Sequence, residues 1–130
     1  MTQIHRAVHA IGIRINDELD LTQPEALVLY FLGPRGTAPL EEVHHAFLHR
    51  RSTLTNVLER LEERGLIERL PAVYDRRRFD IKLTKDGRRV AGDVSALFEE
   101  IAASAGASRA QIRSAAGLLS KIADLGEAEG

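Results

Sequence analysis

The sequence predicts a mainly α-helical protein that carries one small β-hairpin. Apolar residues recur every three to four positions through most of the chain, which is the spacing of amphipathic helices. They alternate with polar residues near positions 79–83, where two candidate strands flank a charged loop. With 130 residues, of which 44% are hydrophobic, the chain can build its own core, and we expect a single domain over residues 1–130.

The first two helices are predicted from an apolar stripe and a helix start signal. The stripe runs through the first 20 residues and consists of Ile4, Val8, Ile11, Ile15 and Leu19. The second helix should begin after Thr22, because Pro24 suits a first helical turn and Glu25 stands where a capping box needs an acidic side chain. Gly33 and Pro34 should end it.

A helix-turn-helix is expected next. Residues 33–39, which contain two glycines and two prolines, are predicted to form a loop, and residues 40–47 a short helix. The following helix should span residues 50–64 and end at Gly65. Its buried side occupies positions i, i+3, i+4 and i+7, which are Leu54, Val57, Leu58 and Leu61.

The hairpin should follow this helix directly. Its strands are predicted over residues 66–70 and 79–83, with residues 75–78 in the connecting loop. In the second strand every other residue is apolar and should face the core, namely Phe79, Ile81 and Leu83. The hairpin would form a wing beside the helix-turn-helix.

Two more helices complete the predicted order. One begins near Thr84, and its apolar stripe consists of Val90, Val94, Leu97, Phe98 and Ile101. The other covers residues 108–125, with an apolar side formed by Ile112, Leu118, Leu119 and Ile122. A helix-turn-helix, a hairpin wing and flanking terminal helices together make a winged helix-turn-helix.

Charge is unevenly distributed along the chain. The formal net charge is −1, but residues 48–90 carry +5 and the remaining residues −6. A basic centre between acidic ends indicates one face that binds an anion. The predicted helix-turn-helix and wing both lie in the basic part.

The polar side of the helix over residues 50–64 suits the reading of DNA bases. Ser52 and Asn56 lie opposite the buried stripe, and Thr53 and Thr55 lie at the edges of this polar face. Arg50 and Arg51 lie at the N-terminal end of the helix. Arginine pairs well with guanine, asparagine with adenine, and hydroxyl groups with bases or phosphates. An ordinary solvated helix face is an equally good interpretation of this helix taken alone.

The loop of the hairpin favours the DNA interpretation. Arg76, Arg77 and Arg78 crowd into one turn, where their mutual repulsion is unfavourable unless an anion is bound. Arginines presented on a wing can enter the narrow minor groove, where the negative potential is strongest. Asp75 is placed to pair with one of them. The alternative is a solvated run of charges.

These residues resemble the MarR family of transcriptional regulators. Asp75 and Arg77, followed by Leu83–Thr84 and Gly87, are similar to its wing signature. The family's recognition helix and first wing strand are similar to the segment that contains Arg51, Ser52, Thr53, Leu54, Thr55, Leu58, Leu61, Glu62, Gly65, Leu66 and Ile67.

The resemblance implies a homodimer that binds double-stranded DNA. Residues 22–88 would form the DNA-binding head, and residues 2–20 and 88–125 the dimerisation helices. It also implies a small aromatic or anionic effector between head and dimer base, where Tyr30 would either line the pocket or pack in the core. The function expected is that of a ligand-responsive repressor that binds a pseudo-palindromic operator.

Other functions have less support in the sequence. The five histidines include His44 and His45, and each follows a glutamate by three residues, but a carboxylate-bridged metal bundle needs a second such helix. No metal ligand, catalytic residue or cofactor is therefore assigned, and no enzyme motif occurs. With no cysteine, no signal peptide and no membrane-length apolar run, we expect a cytoplasmic protein without a membrane partner. The alternative functions are a ligand or metal sensor that acts through a protein partner and a winged-helix dimerisation module that serves as a scaffold.

Overall fold

The fold is built from helices that surround one small antiparallel sheet. The computed structural model describes residues 3–47, 51–72 and 77–105. In chain order, these ranges contain α1 (Gln3–Leu19), α2 (Gln23–Leu32), β1 (Thr37–Pro39), α3 (Leu40–Ala46), α4 (Arg51–Glu63), β2 (Ile67–Pro71), β3 (Phe79–Leu83) and α5 (Lys85–Ala105). The winged helix-turn-helix is thus confirmed, and the helix expected over residues 108–125 lies outside the described residues.

Helix α2 lies at the centre of the core. Its start is the predicted capping box: Thr22 Oγ1 accepts a hydrogen bond from Glu25 N at 3.4 Å, and Glu25 Oε1 accepts one from Thr22 N at 2.9 Å. Apolar residues cover most of the helix, and the buried ones are Ala26, Leu27, Val28, Leu29 and Leu32. A helix that is apolar nearly all round must be packed on several sides. The neighbours of α2 include α1, α3, α4 and α5.

The sheet has three strands in the order β1-β3-β2. The prediction of a continuous loop over residues 33–39 was therefore wrong, because Thr37–Pro39 pairs with β3 and places Ala38 opposite Ile81. Ala38 is buried in the core. A strand of three residues is too short to show the alternation of apolar and polar residues by which strands are predicted, so the sequence gives no signal for β1.

The wing strands differ slightly from the prediction. The first strand spans Ile67–Pro71 rather than residues 66–70. Ile81 and Leu83 are buried as expected, but Phe79 is 41% exposed, so its predicted inward orientation was wrong. Strand β1 reaches only as far as Asp80 along β3, and Phe79 therefore lies beyond the part of the hairpin that the core covers.

Helices α4 and α5 bury the predicted stripes against this core. All four residues of the α4 stripe are buried, and so are Val94, Leu97 and Phe98 of α5. The rings of Tyr30 and Phe98 lie 4.9 Å apart between centroids and join α2 to α5. Buried apolar area of this kind is the main stabilising contribution to a fold of this size.

A tight junction fixes the wing to the start of α5. Thr84 Oγ1 donates a hydrogen bond to the Gly65 carbonyl oxygen at 2.6 Å and accepts one from Gly87 N at 2.9 Å. Gly65 has a φ of 73°, which favours glycine. A Cβ on Gly87 would overlap the Leu66 carbonyl group. Two backbone segments thus approach so closely that only glycine fits between them.

Candidate nucleic-acid interface

The predicted reading face of α4 is exposed. Ser52, Thr55 and Asn56 are exposed, Arg51 is exposed at the first residue of the helix, and Thr53 is half-buried. Thr55 Oγ1 donates a hydrogen bond to the Arg51 carbonyl oxygen at 2.9 Å, so its own oxygen is left as an acceptor. Since the opposite side of α4 is anchored in the core, this face is held toward the solvent. Arg50 lies outside the described residues.

Charge changes along α4. Arg51 lies at the N-terminal end, whereas Glu59, Glu62 and Glu63 are exposed toward the C-terminal end. Glu62 forms an ion pair with Arg69 of β2, with 3.3 Å between Oε1 and Nη2. A polyanion would therefore be attracted to the first two turns of the helix and repelled by the last ones.

Arg64, which no sequence motif singles out, follows α4 directly and anchors its C-terminal end. Its Nη1 donates a hydrogen bond to the Asp20 carbonyl oxygen at 2.9 Å and lies 3.6 Å from Glu25 Oε2. Glu25 is the buried acidic residue of the capping box. Asp20 and Arg64 are 44 residues apart, and no local pattern predicts a contact over that separation.

The wing presents two arginines within the described residues. Arg77 and Arg78 are both exposed. The Arg78 carbonyl oxygen accepts a hydrogen bond from Ala72 N at 2.9 Å, which continues the pairing of the two strands beyond their ends. Asp75 and Arg76 lie outside the described residues, and so does the expected pairing of Asp75 with an arginine.

Helix α3 connects the wing to the recognition helix electrostatically. Glu41 Oε2 lies 3.7 Å from Arg78 Nη1. One turn further along α3, partial burial lowers the pKa of His44, the positive charge of Arg51 lowers it further, and Glu41 opposes both effects. Arg51 and Arg78, which were predicted separately to bind DNA, thus each interact electrostatically with a side chain of the same short helix.

The histidines contribute no metal site within the described residues. In these ranges, no three histidine or acidic side chains are grouped as metal ligands would be. His49 lies outside them. None of the helices in the described part combines the length and the hydropathy that a bilayer crossing requires.

A cavity of about 510 Å³ lies between α2, α5 and the end of α3. Its walls include Tyr30, Phe47, Arg35, Arg88 and Glu99. Tyr30 packs on Phe98 and also lines this cavity.

Arg35 is held at the rim of this cavity by an aromatic ring. Its guanidinium carbon lies 3.9 Å from the centroid of the Phe31 ring, and its Nη1 donates a hydrogen bond to the Phe31 carbonyl oxygen at 2.8 Å. The Phe31 ring packs edge-on against Phe47, with 5.8 Å between centroids. The cavity therefore combines aromatic surface with the charges of two arginines and one glutamate.

Comparison with known proteins agrees with this architecture. The model of the MarR family matches residues 19–78. FarR, an HTH-type transcriptional regulator from Neisseria gonorrhoeae, is 31% identical over 87 residues, which cover 67% of this chain and 55% of FarR. The chain spans about half the length of the curated relatives it matches.

Solved structures extend the similarity over more of the chain. A probable transcriptional regulator from Pseudomonas aeruginosa is 27% identical, with a TM-score of 0.67, and the match covers 92% of this chain and 93% of that protein. Reduced AbfR, which was solved bound to DNA, has the same fold at 24% identity, with a TM-score of 0.64 over 75% of this chain and 72% of AbfR. From its motifs, its fold and these relatives, we conclude that the chain belongs to the MarR family and has its winged-helix fold.

Proposed function

We propose that this protein binds duplex DNA as a homodimer and acts as a ligand-responsive repressor at a pseudo-palindromic operator. The observation that carries the proposal is that the polar face of α4 and the wing arginines Arg77 and Arg78 are exposed, with Glu41 of α3 paired to Arg78 and the charge of Arg51 acting on His44 of the same helix. A helix and a wing placed in this way can contact the major groove and the neighbouring minor groove.

The major-groove contacts are assigned to the first two turns of α4. Arg51 would read guanine and Asn56 adenine, while Ser52 and Thr55 would contact bases or phosphates. Thr53, being half-buried, would contribute at the edge of the contact, and Arg50 would add a phosphate contact before the helix. The acidic end of α4 limits how deeply the helix can enter.

The minor-groove contacts are assigned to Arg76, Arg77 and Arg78, with Asp75 orienting one of them. Arg77 and Arg78 are exposed, which supports this assignment. The structure of AbfR bound to DNA supports the use of this fold for DNA binding. The expected site has two half-sites with centres about 10 base pairs apart, since a dimer contacts successive turns of the duplex.

The dimer base is assigned to residues 2–20 and 88–125. Helices α1 and α5 pack together within one chain, and Arg14 joins them through Glu100, with 3.1 Å between Nη2 and Oε1. Ile13 of α1 is 48% exposed, which supports a second chain as the cover for this side of the helix pair.

The cavity between α2 and α5 is the candidate effector site. Arg35 and Arg88 suit an anionic group, and Tyr30, Phe31 and Phe47 suit an aromatic ring. Phe47 ends α3, close in sequence to the recognition helix, so a ligand here can change the orientation of α4 by favouring one arrangement of the heads. A small aromatic carboxylate fits this combination of groups.

The test is the selection of binding sites from a random duplex pool at physiological salt with the purified protein. The proposal expects one inverted repeat to be enriched. Binding that depends on salt but shows no sequence preference would instead support a sensor that acts through a protein partner, because phosphate contacts alone carry no sequence information.

A further inference from the structure

The contact between Glu41 and Arg78 sets an acidic side chain against one of the wing arginines. The atoms Oε2 and Nη1 lie 3.7 Å apart, and the two side chains are 69% and 63% exposed. Ion pairs in such an exposed position are weak, because water and salt screen them. A polyanion can therefore displace Glu41 from Arg78.

The position of Glu41 makes this contact relevant to DNA. Glu41 belongs to the first turn of α3, and its charge also acts on His44, which in turn faces the charge of Arg51 at the start of the recognition helix. Glu41 thus pairs with one arginine that the proposed function assigns to DNA, and it acts on the same histidine as the other, Arg51. Glu42, the next residue, is also exposed, and among the described residues it forms none of the ion pairs found on this surface.

We infer that Glu41 is a built-in competitor that limits the affinity of the protein for DNA by occupying Arg78. The inference rests on the proposed function, in which the wing contacts DNA. An arginine paired with a carboxylate neutralises no phosphate and releases no counterion when DNA binds. If Arg78 does move to a phosphate, Glu41 loses its partner and its negative charge faces the duplex.

The competition acts on the charge that the wing offers to DNA and not on the base contacts of α4. Phosphates are the same in every sequence, so Glu41 lowers the affinity for operator and unrelated DNA by similar factors. It therefore sets how tightly the repressor is held at a given salt concentration, while the face of α4 sets where it binds.

The experiment compares Glu41→Gln with Glu42→Gln, which makes the same charge change one residue away. Binding to a labelled duplex of unselected sequence, and to the operator once selected, is measured by fluorescence anisotropy over a range of salt concentrations. We expect E41Q to tighten binding to both duplexes by about 3-fold to 10-fold relative to E42Q at low salt. The slope of log K against log salt should steepen by about 0.9, the value for one more neutralised phosphate.

A second pair of variants tests whether the effect passes through Arg78. In an Arg78→Gln background, E41Q should no longer steepen the salt dependence relative to E42Q. An equal effect of E41Q and E42Q would overturn the inference, since it would reduce Glu41 to a general contribution to the surface charge. Weaker binding by E41Q would also overturn it, because Glu41 would then hold Arg78 in its binding position.

The failure of the proposed function looks different. If the parent protein binds neither duplex at any salt concentration, or if R77A alone leaves both affinity and salt slope unchanged, the proposed wing contact falls together with this inference. If the parent binds and R77A weakens it, an unchanged salt slope in E41Q removes the inference alone.

Discussion

The Arg64 side chain reaches from the end of the recognition helix to the backbone of Asp20, with 2.9 Å between Nη1 and the carbonyl oxygen. Asp20 has a φ of 55° and lies in the turn between α1 and α2. The same guanidinium lies 3.6 Å from Glu25 Oε2 at the start of α2. The orientation of α4 is therefore coupled to the α1–α2 turn, and hence to the helices that we assign to the dimer base.

Replacing Arg64 should destabilise the fold. In Arg64→Gln the buried Glu25 carboxylate loses its cation and Asp20 loses a hydrogen-bond donor, which should lower the free energy of unfolding by about 1–2 kcal/mol. Urea unfolding measures this change. Arg60→Gln is the matched control, because Arg60 is exposed on the same helix. Equal stability of the two variants would contradict the anchoring role of Arg64.

Gly87→Ala should be among the most damaging single changes in the head. The added methyl group would overlap the Leu66 carbonyl, and relief requires the wing and α5 to move apart, at a cost of about 3 kcal/mol. Gly92→Ala makes the same change in an open part of α5 and should stabilise the helix by up to about 1 kcal/mol. Thermal unfolding of both variants should therefore move in opposite directions, and a shared direction would be evidence against the tight junction.

Arg77 should contribute to DNA binding and not to folding. Because the side chain is exposed on the wing, Arg77→Ala should keep the unfolding midpoint while the salt slope of DNA binding falls by about 1. Arg77→Lys keeps the charge and should retain the slope, although the planar donor geometry of arginine is lost. Anisotropy titrations provide both quantities. Operator affinity that is unchanged in R77A would remove this residue from the interface.

His44 should make stability depend on pH. Burial, assisted by Arg51, lowers the folded-state pKa of His44 below the ordinary value of 6.5, so the unfolded chain binds a proton more readily. The contribution of the neutral side chain is fully present above pH 6.5 and is lost as pH falls through the folded-state pKa. The parent protein should therefore lose stability relative to His44→Gln as pH is lowered below 6.5, as measured by urea unfolding. Parallel pH profiles would contradict this assignment.

The parts of the fold that the sequence predicted correctly depend on local or periodic signals. The capping box of Thr22 and Glu25 needs residues three apart, and the buried stripe of α4 repeats within one helix. Both predictions are confirmed because these signals do not depend on contacts between distant parts of the chain. The short strand β1 was missed since its pairing with β3 depends on residues more than 40 positions away.

The same distinction applies to the candidate site. Which residue types belong to the reading face and the wing follows from the helical period and the run of arginines. The ion pair between Glu41 and Arg78 and the anchoring of Arg64 arise from tertiary packing, which brings together charges that are far apart in the sequence. Phe79 was predicted to be buried because it lies on the same face of β3 as Ile81 and Leu83. The alternation of residues identifies that face but does not show how far along the strand the core extends.

The junction of Thr84, Gly65 and Gly87 joins β3 to α5 without a hinge. With 21 residues, α5 is about 30 Å long, and the wing is attached to its N-terminal end. If the helix tilts by about 10° about its C-terminal end, its N-terminal end moves by about 5 Å, which exceeds the rise of about 3.4 Å between successive base pairs. In the proposed dimer, a ligand that tilts α5 only slightly would thus change the distance between the two wings, so that they no longer match the spacing of the grooves in the duplex.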